Sequence, residues 1–268
     1  MPENMTQEQR LEYLVTAFLK DAGYDERTKI PADTESRRRI LRSLMNVRMP
    51  APLPDDVLHI QDEYLQCRAA EKGLVFPEDI PMIRDGISLW QGDITRLAAD
   101  AIVNAANSRM LGCFTPMHTC IDNCIHTFAG IQLRAACAAQ MAQLRRIHGS
   151  TYEQPTAVPM LTDGYNLPAK KVVHIVGPIV SGHLTEELEQ NLSDCYRKTL
   201  DTCRENGLAT VAFCCISTGV FRFPKRRAAQ IAVKTVTEWL AAAPGAVDRV
   251  IFNIFKDEDK MYYEQELL

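Results

Sequence analysis

Apolar residues in the first 80 positions recur at the spacing of helices. Leu11, Leu14 and Phe18 lie on one side of a helix that starts at a capping box, Thr6–Gln9, which predicts a helix from about Thr6 to Ala22. Two further apolar stripes predict a second helix that ends before the proline-rich run at 49–54 and a third helix around 57–65. Residues 1–80 are therefore predicted to form a small helical N-terminal extension.

After about residue 81 the pattern changes to short apolar or β-branched runs that alternate with amphipathic stretches. The runs predict strands at Ile87–Trp90, Ala101–Val103, Val172–Val176, Thr210–Ile216 and Arg249–Ile254. The amphipathic stretches predict helices at Ile121–Leu144, Leu188–Cys203 and Ala228–Leu240. This alternation favours an α/β fold over residues 81–268, in which ligands bind beyond the carboxyl ends of the strands.

Composition narrows the class of protein. With 46% hydrophobic and 24% charged residues the chain is typical of a folded globular protein, not a disordered or fibrous one. The net charge of −4 gives little drive for binding nucleic acid. The N-terminus is polar and no apolar run is long enough for a membrane span, so we expect neither a secretory signal nor membrane association. Nine cysteines without a signal peptide indicate reduced thiols and a cytoplasmic location.

Two predicted loops at strand ends carry residues that suit a nucleotide-like ligand. Asp93 follows the first strand, where its carboxylate either caps the next helix or binds a ligand. The run Ser217–Phe221 follows another strand and precedes a helix that begins near Lys225. Its small residues form either an ordinary turn or a cradle of backbone N–H groups for phosphate, to which Phe221 and Phe223 add either an aromatic wall or core anchors.

A third loop carries the ligand types of a metal site. Cys113, His118 and Cys120 place two thiols and an imidazole within eight residues, and Pro116 interrupts any helix between them. Three such ligands with no fourth nearby are typical of a zinc site with an open position, which catalytic zinc requires. The alternative is that the cysteines are small buried apolar groups. Cys124 and His126 lie on the helix that follows and are expected in the core or behind the ligands.

Taken in order, these segments resemble a macrodomain, the ADP-ribose-binding α/β/α module with a mixed central sheet. The matching segments are Gly92–Thr95, Ala101–Asn107, Ile121–His126, Gly164–Ala169, Val173–Pro178 and Ser217–Phe221. Where many macrodomains have a run of glycines, this chain has Cys113 to Cys120. That difference, together with the helical extension, resembles the zinc-dependent branch of protein-ADP-ribose hydrolases.

The resemblance implies a role for each candidate residue. Asp93 and the amide of Ile94 would hold the adenine, and Asn107 would contact the distal ribose and take part in catalysis. One Zn²⁺ per chain would be bound by Cys113, His118 and Cys120. The diphosphate would be held by the backbone of Ser217, Thr218, Gly219, Val220 and Phe221, although Arg222 stands where related loops often have a small residue.

Asp122 follows the metal loop and has two interpretations. It is either a general base that orients water or a structural carboxylate that caps the helix predicted to begin at Asn123. With the first role, the chain would hydrolyse the bond between ADP-ribose and a modified protein side chain, where an oxocarbenium-like transition state develops.

The resemblance implies mono-ADP-ribosylated protein as substrate, in this branch often a lipoate-carrying protein modified by a sirtuin-type transferase, and we expect a monomer. Two other functions remain open at this point. One is a noncatalytic ADP-ribose reader in which zinc only shapes the pocket. The other is a redox-sensitive switch in which the cysteine-rich loop controls partner binding.

Overall fold

The computed structural model describes residues 5–25 and 27–268, so residues 1–4 and Glu26 of the predicted extension lie outside the described residues. Three helices come first and seven strands with five helices follow. The helices are α1 Gln7–Asp21, α2 Thr34–Val47, α3 Asp55–Lys72, α4 Ile121–Ala129, α5 Ile131–His148, α6 Glu186–Glu205, α7 Lys225–Ala242 and α8 Asp257–Leu267. The strands are β1 Met82–Arg84, β2 Ile87–Gln91, β3 Ala101–Ala106, β4 Met160–Asp163, β5 Lys171–Val176, β6 Thr210–Phe213 and β7 Arg249–Ile254.

The seven strands form one mixed sheet in the order β1-β2-β7-β6-β3-β5-β4. The five inner strands are parallel, and β1 and β4 pair antiparallel at the two edges. Helices α6, α7 and α8 pack against one another, whereas α4 and α5 contact β3 and β4. The predicted α/β fold with a mixed central sheet is confirmed.

Helices α1–α3 bury their apolar stripes against one another in a cluster separate from the core of the sheet. The capping box at Thr6 is present, and the buried side chains of α1 are Leu11, Leu14, Val15 and Phe18, as the spacing predicts. Helix α2 also contacts α4, and α3 contacts α4 and the short 3-10 helix Ile94–Arg96. The extension is thus packed on the part of the α/β domain where the candidate loops lie. The division at residue 80 stays a prediction.

Three elements differ from the sequence-based expectation. The single helix expected over Ile121–Leu144 is two helices, because Gly130 between them has φ +93° and ψ 171°, a conformation that essentially only glycine adopts. Strands β1 and β4 and helix α8 were not predicted. The two strands lie at the edges of the sheet and are too short to give an alternating pattern, and α8 begins with acidic residues that obscure the pattern of its buried positions. Within the described part of the chain, none of the helices is long and apolar enough to span a bilayer.

Candidate active site

The carboxyl ends of the parallel strands bring the predicted site residues to one edge of the sheet. Asp93 follows β2, Asn107 follows β3, and Ser217 to Phe221 follow β6. Strands β3 and β6 are neighbours, so the loops that leave them start side by side. This edge is where α/β folds bind their ligands.

Each carboxylate oxygen of Asp93 has a protein partner. Its Oδ1 accepts hydrogen bonds from the N–H of Thr95 at 3.0 Å and from the Thr95 hydroxyl at 2.6 Å, so it caps the 3-10 helix. Its Oδ2 lies 3.4 Å from the Nζ atom of Lys72, the last residue of α3. The side chain of Ile94 is buried, which leaves its backbone amide as the group that can meet a ligand.

Lys72, at the end of α3, is the residue of the extension that contacts Asp93. Its Nζ atom lies 3.0 Å from the centroid of the Phe128 ring on α4, a cation–π contact. Burial is the largest influence on this ammonium and lowers the pKa of Lys72, and the neighbouring Asp93 opposes that shift. The last turn of α3 therefore helps to set the electrostatics around the Asp93 carboxylate.

The loop after β6 presents a run of backbone donors. Ser217 has φ +65°, in the left-handed region, and the N–H groups of Arg222 and Phe223 bond back to the carbonyls of Gly219 and Ser217 at 3.0 Å each. Within the part of the chain that the structure describes, the N–H groups of residues 217–221 have no protein acceptor. Phe223 is buried and serves as a core anchor. The loop is thus a turn whose N–H groups are available to an anion.

The carboxylate of Asp122 is buried and held by two asparagines at the end of β3. Asn104 Nδ2 donates to its Oδ1 at 2.8 Å, and Asn107 Nδ2 donates to its Oδ2 at 3.3 Å. The interpretation of Asp122 as a helix cap is wrong, because α4 begins at Ile121 and its cap is Cys120, whose Sγ accepts from the N–H of Asn123 at 3.4 Å. The asparagine-to-acid contact brings both predicted catalytic residues together.

Behind Asp122 a line of buried hydrogen bonds continues into the sheet. Nδ2 of Asn104 also lies 3.0 Å from Nδ1 of His174, and because an amide NH₂ group can only donate, that ring nitrogen is the acceptor. The Nε2 atom of His174 therefore carries the proton and donates to the Thr162 hydroxyl at 2.9 Å. Burial lowers the pKa of His174 to about 3, so the ring is neutral and this tautomer is fixed. Burial raises the pKa of Asp122 to about 6, against the two asparagine bonds that stabilise its anion.

The predicted metal ligands converge on one side of the loop. The ligand atoms of Cys113, His118 and Cys120 all lie within 4.8 Å of one another, and these residues are half-buried. The Cys113 Sγ to His118 Nδ1 distance is 3.5 Å, and tetrahedral zinc with ordinary bond lengths would separate such atoms by about 3.6 Å. Burial raises the pKa of Cys120 to about 12, so its thiolate form requires a cation beside it.

A second group of described residues can also hold a metal ion. His126, Cys137 and His174 are buried, with ligand atoms within 4.8 Å of one another. Among the described residues, both nitrogens of His174 have hydrogen-bond partners, in Asn104 and Thr162, whereas those of His126 have none, although its Nε2 lies 3.6 Å from Oδ1 of Asp122. A metal here would have to break the line of bonds behind Asp122, which favours the Cys113 group.

Helix α2 of the extension holds the backbone of the metal loop. Arg42 Nη2 donates to the carbonyl of His118 at 2.8 Å and to Asn123 Oδ1 at 3.0 Å. Asn46, which is buried, accepts from the N–H of Met117 at 3.0 Å. Met117 itself has φ +58°, an uncommon conformation for a residue other than glycine. The extension thus fixes the backbone of Met117 and of His118, the candidate histidine ligand.

The side chains of Asn123 and Arg134 add further contacts to the loop and to α2. Asn123 Nδ2 donates to the carbonyls of Cys113 and Thr115 at 3.2 and 2.9 Å. The buried Arg134 of α5 donates to the carbonyls of Met45 and Asn46 at the end of α2. The same guanidinium lies 4.2 Å from the centroid of the Phe114 ring in the metal loop. Loop, extension and α5 therefore form one connected unit.

Sequence reasoning did not assign roles to several of these residues. Lys72, Arg42 and Asn46 belong to a predicted extension that carried no chemical motif, and Arg134 reads as an ordinary basic position on a helix. Asn104 and His174 were within the segments that resemble a macrodomain but had no role of their own. Each is a polar residue in or next to an apolar run that predicts a buried strand, and this is the one feature of the sequence that marks them.

The fold and the position of the site define an α/β domain with a ligand-binding edge, and comparison with known proteins identifies the family. The family model described as Macro domain matches residues 103–232. A protein-ADP-ribose hydrolase of Treponema medium is 44% identical over 265 residues, which cover 97% of this chain and 99% of that protein. One from Staphylococcus aureus strain MRSA252 is 40% identical and covers 96% of this chain and 94% of the relative.

Solved structures agree with the sequence relatives. A Trypanosoma brucei macrodomain in complex with ADP-ribose has a TM-score of 0.63 at 29% identity, covering 84% of this chain and 94% of that one. An Oceanobacillus iheyensis macrodomain with ADP has a TM-score of 0.59 at 32% identity, covering 70% and 93%. The chain belongs to the macrodomain family. It is a homologue, over nearly its whole length, of proteins named protein-ADP-ribose hydrolase.

We expect Arg42→Met to loosen the metal loop while leaving the sheet intact. Losing a hydrogen bond from a charged donor costs about 1.5–3 kcal/mol, so amide exchange in residues 114–119 should accelerate by roughly ten- to a hundredfold. Hydrogen exchange followed by mass spectrometry measures this. Arg39→Met, on the same helix with an exposed side chain, is the matched control. Equal exchange in the two variants would show that Arg42 does not hold the loop.

Proposed function

We propose that this chain is a zinc-dependent hydrolase that removes mono-ADP-ribose from modified protein side chains and releases ADP-ribose. The observation that carries the proposal is the loop 113–120, which lies between Asn107 and Asp122 in the chain and brings the side chains of Cys113, His118 and Cys120 within ligand distance of one another, while Asn107 and Asp122 are hydrogen-bonded to each other. The full-length similarity to proteins named protein-ADP-ribose hydrolase supports the same activity.

The strand-end loops supply a binding surface for each part of ADP-ribose. In this proposal Asp93 accepts from the exocyclic amine of the adenine through Oδ2, next to the amide of Ile94. The unpaired N–H groups of Ser217, Thr218, Gly219, Val220 and Phe221 bind the diphosphate. Asn107 lies beyond them and contacts the distal ribose. The macrodomain structures solved with ADP-ribose and with ADP support a nucleotide diphosphate as the ligand class.

Zinc fits the donor set of the loop. Two thiols and one imidazole, with a sulfur-to-nitrogen separation close to that of a tetrahedral site, would hold it through Cys113, His118 and Cys120. Such an ion would supply Lewis acidity to an oxygen of the substrate or of water. One such ion per chain is the expected content.

The chain's own residues orient the reaction around Asp122. Its carboxylate accepts a proton from water or orients that water toward the anomeric carbon. Asn104 and Asn107 fix the two carboxylate oxygens, and neutral His174 fixes the amide of Asn104 in turn. The burial of Asp122 excludes bulk water from its far side. These groups therefore hold the Asp122 carboxylate in one orientation, in which it serves as the base.

The purified protein should hold about one zinc per chain, and the loop cysteines should determine it. Cys113→Ser combined with Cys120→Ser should lose the metal, whereas Cys137→Ser should retain it, because Cys137 belongs to the other candidate group. Elemental analysis measures content, and thermal unfolding verifies that each variant folds. Zinc retained by the double variant and lost from Cys137→Ser would move the site to the buried group.

Binding and turnover should separate. His118→Ala and Asp122→Asn should lower product release from a mono-ADP-ribosylated protein by more than about a hundredfold. Their affinity for free ADP-ribose should change by less than about threefold, because the adenine and diphosphate contacts remain.

Asp93→Ala should instead weaken ADP-ribose binding by roughly ten- to a hundredfold, through loss of a charged hydrogen bond.

Two results would overturn the proposed function. Full activity of a zinc-free, folded His118→Ala protein would reject metal-assisted hydrolysis. Wild-type protein that binds ADP-ribose but releases none from proteins modified through ester, amide or O-glycosidic linkages would instead be a reader module. Calorimetry for binding and product release by chromatography are sufficient to distinguish these cases.

A further inference from the structure

An open groove lies between helices α1 and α2 and the metal loop. Its volume is about 370 Å³, and it is lined by residues that include Leu19, Tyr24, Lys29, Arg39, Leu44 and Met117. We call this surface the extension groove. Leu19, Leu44 and Met117 give it apolar walls, and the half-exposed ring of Tyr24 stands at its side. An apolar floor with accessible sides suits an extended segment of another chain.

The two charged residues of the groove are both basic. Lys29 and Arg39 are exposed, and within residues 5–25 and 27–268 neither has a carboxylate within 4.0 Å. Other arginines of the same segment have partners: Arg48 pairs with Asp21 at 2.7 Å and Arg42 bonds to the metal loop. The charges of the groove are therefore available to an incoming acidic group.

The distribution of charge along the extension also favours an acidic partner at the groove. Residues 20–48 contain eight basic and five acidic residues, a net charge of +3, although residues 1–80 together carry −4. The basic stretch is the one that contacts the metal loop, through α2. An acidic partner is thus attracted to this end of the extension and repelled by the rest.

The groove directly adjoins the candidate metal site. Met117 forms part of its wall and is the chain neighbour of His118, the histidine of the metal-ligand group. The hydrogen bond from Met117 to Asn46 fixes this wall against α2. A protein whose modified side chain reaches the metal loop must place the residues around that side chain just outside it, and the extension groove lies there.

We propose that the extension groove binds an acidic segment of the ADP-ribosylated substrate protein, beside its modified residue. This inference rests on the proposed function for the identity of the partner. Lys29 and Arg39, which have no carboxylate within 4.0 Å in the part of the chain that the structure describes, select acidic residues, and the apolar walls accept one or two apolar side chains between them. ADP-ribose alone makes no use of this surface, so the groove distinguishes among modified proteins rather than among nucleotides.

The test compares two ADP-ribosylated peptides that differ only in the flanking residues. One peptide carries aspartate and glutamate on both sides of the modified residue, and the other carries asparagine and glutamine in their place. Both carry a stable ADP-ribose linkage for affinity measurements by fluorescence anisotropy. Wild-type protein should bind the acidic peptide at least about tenfold more tightly, and the preference should shrink as salt is raised.

A charge-reversal variant identifies the surface responsible. Lys29→Glu combined with Arg39→Glu should abolish or invert the preference while leaving affinity for free ADP-ribose unchanged. Arg146→Glu combined with Lys234→Glu is the matched control, since both side chains are exposed on other helices and the change in net charge is equal. The control should keep the wild-type preference.

The outcomes separate this inference from the proposed function. Equal affinity of wild-type protein for both peptides, or an unchanged preference in Lys29→Glu with Arg39→Glu, would overturn the groove as the docking surface. A preference that only a second copy of the chain competes away would assign the groove to self-association and also overturn it. A clear preference without turnover of cleavable peptides would uphold the groove and reject the hydrolase.

Discussion

The polar backbone of residues 113–120 imposes the constraint on which the site depends. Among the described residues, the backbone of this loop makes one internal hydrogen bond, from the N–H of His118 to the carbonyl of Thr115 at 3.2 Å, and backbone polar groups that are left without partners are costly. Arg42 and Asn46 of α2 and Asn123 of α4 supply those partners. The helical extension therefore supports the loop 113–120, and its packing helps to place the candidate ligand atoms of Cys113, His118 and Cys120.

The same principle applies to the carboxylate of Asp122, which follows this loop in the chain. Asp122 is tolerated in the interior because Asn104 and Asn107 satisfy its two oxygens, and Asn104 is oriented by a histidine that burial keeps neutral. A buried network in which the donors and acceptors match specifies a single arrangement. The loop 217–221 carries backbone N–H groups that have no protein acceptor among the described residues, and under the proposed function it is the surface that binds the diphosphate.

Much of this could be predicted from the sequence, for identifiable reasons. The helices of the extension and the inner strands carry strong periodicity, and the Cys113, His118, Cys120 cluster is local in the chain. The break at Gly130 was not predicted, because a lone glycine inside a helical pattern does not reveal its φ. The contacts of Arg42 and Lys72 were not predicted either, because they join residues far apart in sequence. Whether Asp122 caps a helix could be decided only from the start of α4 at Ile121 with Cys120 as its cap, and its role as a general base stays a proposal.

X-ray absorption at the zinc edge of the purified protein tests the central claim, that Cys113, His118 and Cys120 form the metal site, most directly. The account predicts two sulfur ligands at about 2.3 Å and one imidazole nitrogen at about 2.0–2.1 Å, with an oxygen at the remaining position. The buried alternative of His126, Cys137 and His174 would give one sulfur and two nitrogens. A spectrum with that ratio, or one with no sulfur ligands at all, would contradict the account.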